Sequence, residues 1–544
     1  MATQFRTTLF GQFVRLLSRN KLFKYPDEIG SSPWKRALQR DTNDPRKPPG
    51  DETTHSSKGN GLLHAALDHR IPEAGQDIHL VDWYGPGDPE NPRNWPRTWK
   101  LIIVFQMCIL NFAVYIASSI YVPGEADIMQ EFGVSVTVAT LGLSLFTLGY
   151  GFGPMLWSPL SDMPMLGRSR IFIYTLLSFV LLQLPVGFAA DMPVFLVFRF
   201  LTGFCGSPCL ATGGGTIVDI YAPTQAIYAI SIWASLGYLG PVFGPIVGGF
   251  VAPAKGWRWT IWIFTWMCSI VLIVMFFLLP ETSAANILYK RAQRRRKATG
   301  NQRLKSQSEI DASNHTAKDH FMLLARAFTL AFSKPIVFLM DLYTGLLYGI
   351  LFTWFESFPF VFGNIYHFSV GQQGLVFLGI LVGGLITVPF FLLWIKHRIA
   401  PRLTKPNFKP EMVLPPMFVG CFALPVCLFW YGWSARADMH WIMPVIGSGF
   451  FTVGSITLFN SVFNYLGIAY PESAASIFAG NALFRASFGA VFPLFARPLF
   501  RRVGIDGGNS LLGGIAVCFI PMPFLFYRYG EKIRHMNRNA RYDV

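Results

Sequence analysis

Apolar runs of similar length recur along the chain, most of them closed off by a short polar connection. A helix needs about 20 consecutive apolar residues to cross the hydrocarbon core of a bilayer. Runs at 101–122, 138–158, 171–189, 194–218, 226–252, 259–279, 336–360, 374–395, 412–432, 440–465, 474–496 and 510–527 come close to that length. They form two sets of six around a long polar segment. The pattern predicts an all-α integral membrane fold of twelve transmembrane helices in two six-helix halves. Spans one to six occupy 101–279 and spans seven to twelve occupy 336–527. Residues 1–100 read as a polar, largely disordered tail without a cleavable apolar signal, any helix near Leu9–Phe23 being amphipathic. Residues 280–335 read as a basic linker, and 528–544 as a short C-terminal tail.

Span five departs from the simple apolar pattern. Its segment SLGYLGPVFGPIVGGFV (235–251) carries Gly240, Gly244, Gly248, Gly249, Pro241 and Pro245. In a soluble helix interior each glycine costs roughly 1 kcal/mol and each proline about 3. Gly240, Gly244 and Gly248 are four apart, so they form one stripe that lets a neighbouring backbone approach closely. Pro241 and Pro245 stand on the adjacent stripe, remove backbone donors and bend the helix at a chosen place.

Composition agrees with a membrane protein. The chain of 544 residues is 52% hydrophobic and only 14% charged, with a mean hydropathy of +0.38; a soluble protein carries about 25% charged residues. The net charge of +16 invites a nucleic-acid reading, but its placement excludes one. Lys290, Arg291, Arg294, Arg295, Arg296, Lys297, Arg303 and Lys305 fill the linker. Lys396, Arg398, Arg402, Lys405 and Lys409 lie between spans eight and nine, and Arg528, Lys532, Arg534, Arg538 and Arg541 follow span twelve. The loop after span one holds Glu125, Asp127 and Glu131 with no Lys or Arg. By the positive-inside rule both termini and the linker are cytosolic. Lys255, Arg258, Arg497, Arg501 and Arg502 are the exceptions, falling outside in this topology. All seven cysteines lie in apolar spans and read as packing residues. The sequon Asn314 to Thr316 falls in the cytosolic linker, where it is not expected to be glycosylated. No HExxH, GxSxG or phosphate-binding loop is present, so an enzyme is not expected.

Several stretches carry a family resemblance: DPENPRNW (88–95), ASSIYVPG (117–124), SPLSDMPMLGR (158–168), RFLTGFCGSPCLATGG (199–214), LPETSAANILYKRA (279–292) and YPESAASIFAGNALFRASFGAVFPLF (470–495). Over roughly 80–540 the chain resembles the fungal drug:proton antiporters of the major facilitator superfamily with twelve spans. Within that group it is most similar to the exporters that confer benomyl, fluconazole and methotrexate resistance. The resemblance implies that Gly240, Gly244, Pro245, Gly248 and Gly249 form the antiporter motif, which seals one side of the cavity and favours exchange. Ser231 stands where the family often has a further glycine. It also implies a cytosolic gate motif at Asp162, Gly167 and Arg168, whose pairing changes as the halves rock. That loop departs from the general signature: Ser158 replaces a glycine, and two extra residues follow Asp162, a spacing that suits the fungal subgroup.

Ionisable groups at membrane depth are costly and therefore informative. Arg199, Asp341, Glu356 and Arg485 lie inside spans, with Asp219 at the inner end of span four. No histidine does, so a proton carried across would ride on a carboxylate. Arg199 matches the arginine that the family associates with proton coupling, although Thr202 replaces the glutamine that often follows; snorkelling is its structural alternative. Asp341 and Glu356 are fifteen residues apart, about 22 Å along a helix and roughly 60° around it, so they are expected to face one cavity from its two ends. The proton-coupling candidates are thus Arg199, Glu356, Asp341 and Asp219. Planar and cationic organic molecules need stacking surfaces and a few polar anchors. Cavity candidates are Asn111, Tyr115, Tyr343, Tyr348, Trp354, Asn460, Phe463, Asn464, Asn481 and Phe484.

The reading that follows is a monomeric, proton-coupled exporter of toxic organic compounds in the plasma membrane. It works by alternating access and needs a proton gradient rather than a cofactor or metal. Its partners are small organic substrates, protons and the lipid bilayer, with no nucleic acid. Export of an endogenous secondary metabolite or toxin stays open beside it, as does proton-coupled uptake, which the glycine–proline stretch opposes.

Overall fold

The computed structural model describes residues 2–19, 21–25, 28, 70–73, 76–313, 328–329, 331–403, 405, 408–470 and 474–535. The middle of the N-terminal tail and the sequon at Asn314 lie outside the described residues. The chain forms two compact units. One comprises Met1–Lys100, Leu160–Ile171 and Val274–Phe321; the other comprises Leu101–Pro159, Phe172–Ile273 and Met322–Val544.

Among the described residues, 11 helical segments are long and apolar enough to cross a membrane. The last, Ser476–Arg534, runs 59 residues. That is about 88 Å of helix, more than twice a hydrocarbon core of about 30 Å. It is broken at Gly504, whose φ of 83° and ψ of 167° are not helical. The segment therefore holds spans eleven and twelve, and the count of twelve stands. Span five is one uninterrupted helix, Pro223–Lys255, despite Pro241, Pro245 and Pro253 inside it.

Prolines in these spans leave carbonyls without their helical donor, and neighbouring side chains replace it. Pro245 has no N–H for the Pro241 carbonyl; Ser119 of span one (Arg97–Ser119) donates its hydroxyl there at 2.6 Å. Span four is divided into Met192–Gly206 and Pro208–Ile220. Pro208 frees the Phe204 carbonyl, which accepts from Ser207 Oγ at 2.8 Å and from Trp157 Nε1 at 3.0 Å. The glycines share one face as their spacing requires, and that face packs on span one. A Cβ added at Gly240 would stand 2.7 Å from Tyr115 Cβ, and one at Gly244 would stand 2.7 Å from the Ile120 nitrogen. Gly248 likewise abuts Ile120 and Pro123, while Gly249 turns toward Val370 and Gly371 at the start of span eight.

The smaller unit is polar and is held by charge. Its helix Ala284–Thr299 starts at Ser283, whose hydroxyl accepts from the Asn286 N–H, and ends at Gly300 in the left-handed region. Strand Gln76–Leu80 pairs antiparallel with Arg70–Glu73 and parallel with Leu304–Lys305, placing His79 opposite Leu304. Val81, Ala292 and Leu304 make a small apolar core. The DPENPRNW segment closes on the helix. Arg291, fully buried, meets Asp88 at 2.8 Å and Glu90 at 2.8 Å and stacks over the Tyr84 ring at 4.3 Å. Arg294 adds a contact to Glu90 at 3.2 Å and covers Tyr25.

Candidate functional site

The larger unit holds two separate charge clusters on span seven (Pro335–Phe358). The first surrounds Arg485, which is 1% exposed. Its Nη1 donates to the Tyr115 hydroxyl at 3.0 Å and its Nε to Asn481 Oδ1 at 2.8 Å. Asn481 in turn donates to Asp341 Oδ1 at 2.8 Å and to Thr344 Oγ1 at 2.7 Å. The amide therefore relays between the guanidinium and the carboxylate, and no ion pair joins them among the described residues. The second Asp341 oxygen is buried without a partner. Aromatic faces complete the site: Arg485 lies 4.9 Å from the Tyr348 and Phe459 ring centroids and 5.6 Å from that of Phe463. Tyr115 meets Tyr150 and Tyr348 at its edges, and Tyr238 meets Tyr348. A buried, unpaired cation ringed by π-faces and phenols can hold a planar molecule by stacking and donate to its acceptors.

The second cluster lies at the other end of span seven. Arg497 pairs with Glu356 and reaches Glu125 at 3.3 Å; Thr140 donates to Glu356 at 3.4 Å. Two carboxylates here share one guanidinium, so the cluster is one positive charge short of pairing both, an arrangement that a proton would balance. Beside it is a cavity of about 170 Å3 lined by Glu125, Arg497, Pro245, Phe355, Phe377 and others. Three of the five charge exceptions in the sequence reading have partners at this end. Arg497 has Glu125 and Glu356, Arg258 has Glu131 at 2.6 Å, and Lys255 lies over the Trp259 ring. The expectation that Asp341 and Glu356 share one cavity is not met, because each is enclosed by its own partners.

Arg199 is sealed in protein at 0% exposure, which excludes snorkelling. It donates to the carbonyls of Gly142 at 3.1 Å, Ala117 at 3.1 Å and Ser118 at 3.5 Å, and stacks on Tyr121 and Phe146. It thus ties spans one, two and four together through backbone, with no ion pair among the described residues. Asp219 is half-buried at the end of Pro208–Ile220. In the smaller unit, Arg168 and Asp162 are 3.3 Å apart, and Gly167 has a φ of 77°. Glu281 organises this loop: it accepts the N–H groups of Arg168, Thr282 and Ser283 and the Ser169 hydroxyl.

Of the cavity candidates, Tyr115, Tyr348, Asn481 and Phe463 gather around Arg485. Asn111 donates to the Trp233 carbonyl. Asn460 and Asn464 of span ten (Ile442–Ala469) donate to Ser235 Oγ at 3.1 Å and Ser231 Oγ at 3.2 Å. Both pairs are four residues apart, so they make two rungs between spans five and ten. Tyr343 packs on Phe519, Trp354 on Tyr431 and Phe451, and Phe484 on Phe332 and Phe338; these three stand apart from the Arg485 cluster. Tyr150, Tyr238, Phe459 and Glu281 were not singled out from the sequence, and Arg497 and Glu125 were noted only for where their charges fall. Arg485 was noted only as an ionisable residue in a span, and that rarity was the available signal.

Comparisons with known proteins agree with this architecture. Residues 107–493 match the model of the Major Facilitator Superfamily. The chain is 42% identical to the transporter mfs1 of Schizosaccharomyces pombe, covering 86% of this chain and 89% of that one. It is 38% identical to fluconazole resistance protein 1 of Saccharomyces cerevisiae, covering 84% of each. It is 36% identical to the citrinin biosynthesis cluster MFS transporter mrr1 of Monascus ruber, covering 85% of this chain and 92% of that one. Among solved structures, the proton:xylose symporter XylE superposes with a TM-score of 0.56 at 13% identity, covering 78% of this chain and 96% of that one.

Proposed function

The chain belongs to the Major Facilitator Superfamily, a family of transporters and not of enzymes, and from that premise we propose that it exports toxic organic compounds in exchange for protons. The observation that carries the substrate half is the Arg485 cluster: a sealed cation with amide and phenol partners, aromatic walls and, among the described residues, no carboxylate in contact. The substrates it suits are planar or aromatic molecules with a hydrogen-bond acceptor. The proton half rests on Glu356 and Glu125 sharing Arg497. Taking up a proton there leaves one carboxylate for one guanidinium and weakens the tie among span seven, span eleven and the segment that follows span one. Span five, packed on span one through its glycines and on span ten through the serine–asparagine rungs, moves with alternating access. Both termini face the cytosol, the Glu125 end faces outward, and the plasma membrane is the site of action.

Relatives named for fluconazole resistance, cycloheximide resistance and multidrug transport support the drug reading. The relative from a citrinin cluster supports a second one, export of a secondary metabolite by the same mechanism. Growth of a pump-deficient host on a panel of toxicants, with and without this gene, separates the two. Efflux that stops when a protonophore collapses the pH gradient while ATP stays available is expected. Efflux that ignores the gradient and follows ATP would end the antiport reading.

A further inference from the structure

We propose that the N-terminal helix Leu9–Leu17 lies flat in the cytosolic interface of the bilayer and binds an anionic lipid surface with the apolar face it turns away from the protein. The helix is capped by Thr8, whose hydroxyl accepts from the Gly11 N–H at 3.0 Å. At 100° per residue, Gly11 and Arg15 fall on one side and Phe13, Leu16 and Leu17 on the other. The structure keeps the two sides apart. Gly11 is buried, while Phe13 is 53%, Leu16 74% and Leu17 68% exposed. Leu22, just beyond the helix, is 56% exposed.

Three contacts within the smaller unit fix the level of this segment at the ends of spans. Phe5 meets Trp99 edge-on at 5.1 Å, and Trp99 is in the first turn of span one. Phe10 meets Phe277 at 4.9 Å in the last turn of span six, Trp257–Leu278. Arg170, in the first turn of Arg168–Gly187, donates to Gln12 at 2.9 Å. A segment pinned to three span termini sits where hydrocarbon gives way to headgroups. An apolar stripe there that no described residue covers is placed to meet lipid. The charge fits the same occupant: Arg6, Arg15, Arg19, Lys21 and Lys24 are present, and no Asp or Glu precedes Asp27. Arg19, Lys21 and Lys24 are exposed, and each basic residue near an anionic leaflet strengthens binding.

The test uses the full chain in single-copy nanodiscs, with and without phosphatidylserine, on a Cys518→Ser background. Cysteines placed singly at Leu16 and at Lys21 are timed against a water-soluble maleimide. Leu16→Cys is expected to react roughly tenfold more slowly than Lys21→Cys, and more slowly still with phosphatidylserine. Adding Phe13→Glu and Leu17→Glu should erase the difference, while transport-competent folding is checked by thermal unfolding. Equal reaction rates in both discs would overturn the proposal. So would protection that ignores lipid charge and survives the two glutamates, since that assigns the face to a protein contact.

Discussion

Arg291 and Arg485 are both sealed from solvent, at 0% and 1% exposure, yet they are neutralised in different ways. Arg291 has two carboxylates in direct contact, Asp88 and Glu90. Arg485 has a phenol and an amide, with its nearest acid one hydrogen-bonded step away through Asn481. A buried cation with its counter-charges in place is a clamp, and removing it leaves those charges stranded. A buried cation held only by dipoles keeps part of its field for a group that comes and goes. Arg497 stands between the two, directly paired but with one carboxylate too many.

That contrast is open to experiment, the largest effect first. Arg291→Ala strands Asp88 and leaves Glu90 to Arg294 alone, and should cost about 3–5 kcal/mol, a large part of a typical stability of about 5–15. Abundance and thermal unfolding in detergent measure it. Arg485→Ala should keep near-normal abundance and lose export, and equal loss of abundance in both would erase the distinction. Next is Glu356→Gln, which fixes the uncharged state of the Arg497 cluster. Gradient-driven efflux should fall on the order of 100-fold, while exchange of one substrate for another survives. Wild-type efflux across a range of external pH would remove Glu356, and Asp341 would become the first candidate.

Gly244→Val tests whether the two clusters work through one rigid pair of helices. Its added carbons meet Ser119 and Ile120 of span one, and overpacking of this kind costs about 1–3 kcal/mol. Export should drop more than expression; normal export at normal abundance would mean the stripe is loose. Arg485→Lys keeps the charge but not the planar fork. A rise in KM of roughly tenfold for aromatic substrates, with the pH profile unmoved, is expected; a shifted pH profile would instead place Arg485 in proton coupling.

A pH effect belongs to the clamp's neighbour Lys290, which burial pulls down to about 8 from 10.5. Between those values the unfolded chain binds more protons than the folded one, so stability rises with pH across that window; below about 8 the penalty is present in full. Protease cleavage of the linker helix should therefore slow as pH rises from 8 to 10.5, and the slope should vanish in Lys290→Met. An unchanged slope would put the cause on another group.

The spans and a glycine stripe open to a neighbouring backbone were legible because hydropathy and spacing are local properties; that the neighbour is span one came only from the tertiary structure. Gly504 was not, so spans eleven and twelve were separated on apolarity alone when a backbone break in fact divides them. The Arg485 relay was hidden for a different reason: Tyr115 and Asp341 meet it only through tertiary contact, from spans one and seven. Basic residues in the linker were legible as a charge cluster, but their pairing with DPENPRNW joins positions some 200 residues apart. Arg497 looked like a misplaced charge until Glu125 and Glu356 were found beside it.

The bond from Ser119 to the Pro241 carbonyl has a consequence for inheritance. Because Pro245 supplies no N–H, that carbonyl depends on a hydroxyl carried by another span. If Ser119 drifts to alanine while the proline stays, a buried acceptor is orphaned. If Pro245 drifts to alanine, the helix reclaims its own carbonyl and the serine is released from duty. The two positions therefore do not vary freely: one order of substitution passes through a crippled ancestor and the other does not. Lineages of this transporter that lose the serine are expected to have lost the proline first.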